Sequence, residues 1–118
     1  MTEPAIVVQK AYDLTLWIIP KVEKFPRSHR FTIGQSLQNS SIELLMNLVD
    51  ASYQSRNAGS LAAAVREVNR IRYLVRLAKD LRVMNLASHE FASKSLDEVG
   101  RMAGGWLKST RGKHEADR

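Results

Sequence analysis

The sequence predicts an all-α protein, a single antiparallel up-down-up-down four-helix bundle. Three observations carry that prediction. Apolar residues recur at helical spacing nearly throughout; only three prolines occur, Pro4, Pro20 and Pro26; and turn formers gather at three places, Phe25-Pro26-Arg27-Ser28, Asn57-Ala58-Gly59-Ser60 and Asn85 to Ser88. Four helices of similar length joined by short turns pack most simply as an antiparallel bundle. A chain of 118 residues suits one domain with a proper core and is too short to suggest two. The bundle is expected over residues 1–109, with a flexible basic tail over 110–118 that shows no apolar periodicity.

The first helix is expected from about Pro4 to Lys24, Pro4 suiting a first-turn position because its missing N–H has no helical partner there. Val7, Ala11, Leu14 and Ile18 form its core stripe. Val8, Tyr12, Leu16 and Ile19 form a second stripe beside it, and together the two are wider than the roughly 100° that packing inside one bundle requires. The surplus stripe is therefore expected to be a subunit interface. Pro20 has no N–H for the carbonyl of Leu16 and should kink the helix.

The second helix should begin near Phe31 or Thr32, with Thr32 and Gln35 at capping-box spacing, and end by Asn57. Its expected core line is Phe31, Ile42, Leu45, Leu48 and Val49, with Leu37 and Leu44 at one shoulder. The third should be capped by Ser60 and run to about Val83, burying Ile71, Leu74, Leu77, Ala78 and Leu81. The fourth should be capped by Ser88 and run to about Lys108, burying Ala92, Leu96, Val99, Ala103 and Leu107. Gly100 and Gly104, one turn apart, allow either a groove for a partner helix or, more simply, tight packing within the bundle.

The hydrophobic fraction of 44% and charged fraction of 25% are ordinary for a globular chain. There is no cysteine, which removes a disulfide framework, thiolate metal sites and a cysteine nucleophile together. The longest apolar run, Leu14 to Ile19, falls far short of the roughly 20 residues of a membrane-spanning helix, and Met1-Thr2-Glu3-Pro4 does not resemble a secretory start. A soluble, cytoplasmic protein is expected. His29, His89 and His114 include no pair at i, i+3 or i+4 that would suit a helical metal site. Asp97 and Glu98 point to different faces, and neither a P-loop nor a dinucleotide-type glycine pattern is present. No catalytic constellation, cofactor or metal is expected, and the protein is read as a non-enzyme.

The charge is +6 at pH 7, with a pI near 10.0, which argues for an anionic partner. Residues 1–59 carry 6 Lys+Arg against 5 Asp+Glu, and residues 60–118 carry 12 against 7. On the third helix Arg66, Arg70, Arg72, Arg76, Lys79 and Arg82 face only Glu67 and Asp80. Arg72, Arg76 and Lys79 share one face and form a cationic stripe suited to successive phosphates; the alternative is pairing with carboxylates of a neighbouring helix. Glu67 projects toward the apolar face, where a lone carboxylate is costly, and Arg70 is its candidate partner. A second cluster, Lys21, Lys24, Arg27, His29 and Arg30, surrounds the first turn. Phe25 and Phe31 within it suit either stacking on a nucleic acid strand or, more simply, stapling of the turn to the core.

Several segments resemble a known family. Tyr12-Asp13-Leu14, then Leu16-Trp17-Ile18-Ile19-Pro20-Lys21-Val22-Glu23-Lys24-Phe25-Pro26-Arg27-Ser28-His29-Arg30-Phe31, is similar to the N-terminal signature of the accessory variability determinant (Avd) proteins of diversity-generating retroelements. Ile71 to Leu81 and Glu98 to Lys108 extend the likeness, which spans about residues 6–109. The superfamily includes bundle proteins encoded in intervening sequences of large-subunit ribosomal RNA. The resemblance implies a four-helix protomer, a homopentameric barrel, and association with a reverse transcriptase and template RNA or cDNA during mutagenic retrohoming. It leaves two functions to weigh: an accessory nucleic-acid-binding subunit using Arg66, Arg72, Arg76, Lys79, Arg82, Lys21, Lys24, Arg27 and Arg30, or a structural oligomer that binds only protein and spends its arginines in intersubunit ion pairs.

Overall fold

The computed structural model describes residues 3–116, and among them four long helices and no strand. Helix α1 spans Glu3–Glu23, α2 Gln35–Tyr53, α3 Ala58–Asp80 and α4 Leu86–Ala116. A short helical turn, Arg27–His29, and a π-helical turn, Arg30–Gly34, lead into α2. Each helix packs on its neighbours in the cycle α1–α2–α3–α4–α1, the expected up-down-up-down bundle, within an envelope of 51 × 23 × 22 Å.

Helices α1 and α4 bury the residues their periodicity predicts. Val7, Ala11, Leu14 and Ile18 face Ala92, Leu96, Val99, Ala103 and Leu107 in one core. α1 remains helical on both sides of Pro20, although Pro20 has no N–H to donate to the Leu16 carbonyl. α4 starts earlier than expected: Asn85, not Ser88, caps it, its Oδ1 accepting the Ser88 N–H at 2.8 Å. It also runs beyond Lys108 to Ala116 and buries Thr110, so most of the expected tail is helical, and only residues 117–118 of it lie outside the described residues.

The core lines of α2 and α3 are rotated from the expected ones. On α2 the buried line is Leu37, Leu44, Leu48 and Ala51, with Ser40 and Ser41 between. Phe31 and Ile42 are exposed, and Leu45 and Val49 only half-buried. The hydroxyls do not bar this register, because Ser41 Oγ donates to the Leu37 carbonyl at 2.7 Å and Thr15 Oγ1 donates to those of Ala11 and Ser41 at 2.8 and 3.2 Å. A buried hydroxyl bonded to a backbone carbonyl escapes the cost of an unpaired polar group. On α3 the buried line is Leu61, Ala64, Val68, Ile71, Val75 and Ala78, which leaves Leu77 and Leu81 exposed and Leu74 half-buried.

The caps expected from Thr32 and Ser60 are not formed. Thr32 Oγ1 donates to the His29 carbonyl at 3.4 Å, and Ser60 Oγ donates to Gln54 Oε1 at 2.8 Å. α2 stops at Tyr53 because Gln54 turns extended, ahead of the expected Asn57. Asn57 instead reaches back, its Nδ2 donating to the Ala51 carbonyl at 3.0 Å.

α3 ends in a left-handed turn. Arg82 has φ 63°, the Val83 N–H bonds to the Ala78 carbonyl at 3.0 Å, and the Arg82 N–H to that of Lys79 at 2.9 Å. Glycine usually occupies such a position, since a side chain there costs on the order of 1 kcal/mol. Arg82→Gly should therefore raise the melting temperature by a few degrees, about 1 kcal/mol in stability. A lower melting temperature would show that the Arg82 side chain contributes more than its backbone costs.

Candidate nucleic-acid interface

The bundle's topology brings together what the sequence presents as two separate basic clusters. α1 and α3 run toward one end, and α2 and α4 start from it. That end gathers Lys21, Lys24, Arg27 and Arg30 from the first turn, Lys79 and Arg82 from the close of α3, and Arg76 one turn below. Among the described residues no carboxylate lies within ion-pair distance of Lys24, Arg27, Arg30 or Arg82. Lys21 Nζ lies 5.3 Å from the centre of the Trp17 ring, which in turn packs on Phe91 of α4 at 4.8 Å. Arg30 donates from Nη2 to the Phe25 carbonyl at 3.2 Å.

The stripe on α3 divides. Arg72 turns onto α4, pairing with Asp97 at 2.5 Å and donating to the Leu96 carbonyl at 3.4 Å. Gly100 makes room for it, since a Cβ there would lie 3.1 Å from Arg72 Nη2 and 3.2 Å from Val68 Cγ1. That glycine serves packing inside the bundle, whereas nothing lies within 4 Å of a Cβ on Gly104. Arg76 and Lys79 share Asp80 only at 4.0 and 3.9 Å, contacts too long to tie them down, and Arg66 stands exposed on another face. Arg70 meets Glu67 at 3.7 Å, which is no hydrogen bond, and Glu67 Oε2 is buried with no hydrogen-bond partner.

The aromatic pair of the first turn also divides. Phe25 is 3% exposed and staples the turn to the core, as expected, but Phe31 is 66% exposed and does not. The π-helical turn accounts for the difference. Ile33 and Gly34 face inward, where a Cβ on Gly34 would lie 2.8 Å from Val22 Cγ1 and 3.2 Å from the His29 carbonyl. Phe31 and Thr32 are left facing solvent. Phe31, Gln35 and Asn39 line two open hollows. One, of about 530 Å³, continues to Leu77 and Leu81; the other, of about 270 Å³, continues to Glu23 and Arg30.

A third group of cations was legible but missed. Lys94, Arg101 and Lys108 recur every seven residues along α4 and are all exposed. Heptad spacing alone places them on one face. Glu98 lies one turn from both Lys94 and Arg101 on the same side of α4, and Lys10 of α1 donates to it at 2.8 Å. That hydrogen bond and the Lys10 charge, with smaller help from Lys94 and Arg101, hold the Glu98 carboxyl below its ordinary value. A depressed carboxylate lends stability above the ordinary carboxylate range and loses it as pH falls through the folded value. Lys10→Met should thus destabilise slightly at neutral pH and make no difference once Glu98 is protonated, as melting curves at the two pH values would show; an equal loss at both would assign the effect to packing.

The surplus stripe of α1 lies uncovered by its own chain. Tyr12 and Leu16 are 50% and 61% exposed, Val8 and Ile19 half-buried, and α2 adds the exposed Ile42 and Met46. Among the described residues no His, Asp or Glu cluster suits a metal ion, and no helix is long and apolar enough to cross a membrane.

A model of bAvd-like proteins matches residues 5–110. The chain belongs to the bAvd-like family. The resemblance carried by Tyr12 to Phe31, Ile71 to Leu81 and Glu98 to Lys108 is thus confirmed at the level of the family. Among solved structures, the fold is similar to that of a protein of unknown function from the S23 ribosomal protein family of Bacteroides thetaiotaomicron VPI-5482. The TM-score is 0.84 at 14% identity, covering 91% of this chain and 99% of that one, a likeness of fold. No curated protein matches the chain. Within the bAvd-like bundle, the cations gather at one tip, and the apolar stripe of α1 runs along the side toward it, Ile19 lying two residues before Lys21.

Proposed function

We propose that this bAvd-like protein is an accessory nucleic-acid-binding subunit of a diversity-generating retroelement. In this reading it acts in the cytoplasm, without enzyme chemistry, holding template RNA or cDNA beside the reverse transcriptase. Copies associate through Val8, Tyr12, Leu16 and Ile19 into a homo-oligomer, a pentamer by analogy with the family. The observation that carries the reading is the meeting of the first-turn cations with Arg76, Lys79 and Arg82 at one end of the bundle, where Lys24, Arg27, Arg30 and Arg82 have no carboxylate in ion-pair range among the described residues. Cations in that state are available to phosphates, and a closed assembly would repeat the end around its axis.

Binding of this kind is dominated by release of counterions and must weaken steeply with salt. Affinity for RNA and DNA strands, measured by anisotropy between about 50 and 200 mM salt, should fall by at least tenfold. Unchanged affinity would sink the electrostatic reading and leave an oligomer that binds protein alone. That second reading has its own support in the uncovered α1 stripe, whereas the pairing of Arg72 with Asp97 lies within the chain and only removes Arg72 from phosphates. Exchange of Arg76 and Lys79 for glutamine separates the two: the first reading expects weaker binding by an intact assembly, the second an assembly that comes apart.

A further inference from the structure

We infer that Phe31 and the two hollows beside it hold an unpaired nucleobase, making the basic end a site for single-stranded rather than duplex nucleic acid. The inference rests on the nucleic-acid reading above and names the form of the ligand. A lone exposed aromatic would carry no such weight, because scattered apolar residues are normal on a surface. Here the ring stands at the lip of a groove with a particular division of chemistry. One wall is apolar, from Leu77 and Leu81; the other is amide and hydroxyl, from Gln35, Ser36 and Asn39. A base has that same division, with flat apolar faces and an edge of hydrogen-bond donors and acceptors. An amphipathic protein helix would instead leave those amides facing its apolar side.

The surroundings fit the strand to which such a base is attached. Arg30 lines the second hollow with Phe31, Gln35 and Asn39, opposed there by the single carboxylate of Glu23, and Lys24, Arg27 and Arg82 are exposed with no carboxylate in ion-pair range among the described residues. Aromatic stacking beside a cationic track is how proteins hold single strands without reading their sequence. The base pairs of a duplex are stacked on one another and offer no free face. The π-helical turn sets Phe31 on the solvent side, since Ile33 and Gly34 of the same turn are the residues packed inward.

The test compares a labelled oligonucleotide of roughly a dozen nucleotides with the same sequence as a duplex, on the full chain. Phe31→Ala should weaken single-strand binding about tenfold, leave its salt dependence unaltered and leave duplex binding unchanged. Phe31→Trp should restore affinity and Phe31→Leu should not, because leucine keeps apolar bulk but not a flat face. A 2-aminopurine base in the strand should change its fluorescence on binding to the wild type and not to Phe31→Ala. Unaltered single-strand affinity in Phe31→Ala, full rescue by leucine, or an equal loss for the duplex overturns the inference while the broader reading survives. An altered assembly size with unaltered strand affinity overturns it in favour of a protein interface. If the wild type binds neither probe, the broader reading fails too.

Discussion

Replacing Lys24, Arg27, Arg30 and Arg82 together by glutamine should lower affinity for single-stranded nucleic acid on the order of 100-fold at about 0.1 M salt. Each phosphate contact on a single strand contributes about 0.7 to the slope of log affinity against log salt, so removing four should flatten that slope by about 3. Assembly size should hardly move, because all four side chains are exposed, and the melting temperature should fall only slightly, through loss of the Arg30 hydrogen bond to the Phe25 carbonyl. The comparison that decides the location is the triple exchange of Lys94, Arg101 and Lys108, which changes nearly the same charge on the face of α4. A loss confined to the first variant places the strand at the bundle end. Equal losses would mean that total charge, not geometry, governs binding.

Gly34→Val should destabilise the protein by about 1–3 kcal/mol, lowering the melting temperature by roughly 4 °C for each kcal/mol. Glycine is ordinarily a poor helix residue, and on propensity alone the exchange for valine would stabilise. Space decides otherwise here. The first atom added lies 2.8 Å from Val22 Cγ1 and 3.2 Å from the His29 carbonyl, with Phe25 Cδ2 at 3.4 Å. Val22 and Phe25 are both core residues, and the carbonyl belongs to the backbone of the turn, so none of the three yields cheaply in a close-packed interior. A variant that melts at the wild-type temperature would show that the π-helical turn relaxes into an ordinary one. In that case single-strand binding should change, because the presentation of Phe31 depends on that turn.

What the sequence disclosed, and what it did not, follows from how each helix meets its neighbours. α1 and α4 each carry one apolar stripe of large residues that fits a bundle interior, and periodicity places Leu14, Ile18, Leu96 and Val99 correctly. α3 carries two apolar lines. Periodicity favoured Leu74, Leu77 and Leu81 over Leu61, Val68 and Val75, because one helix in isolation contains no information about which side its partners occupy. On α2, Ser40 and Ser41 interrupt the buried line, and their burial depends on carbonyls that only a folded helix supplies. For the candidate site, the basic residue types were visible, but not their engagements. Arg72 is removed from the α3 stripe by Asp97, which lies 25 residues on, and Phe31 stands free because of a π-helical turn for which local sequence gave no sign.

An even number of antiparallel helices also settles where attachments belong. Glu3 and Ala116 both sit at the tip opposite the basic one, since α1 sets out from that tip and α4 returns to it. At about 1.5 Å of rise per residue, a fluorophore, affinity handle or fused enzyme joined at Glu3 lies roughly 30 Å along the bundle from the hollows around Phe31, and one joined at Ala116, on the longer α4, roughly 45 Å. Immobilised by such a handle, the protein would present its cations outward to ligand in solution, and a dye there would report binding only when the bound strand is long enough to reach back along the bundle.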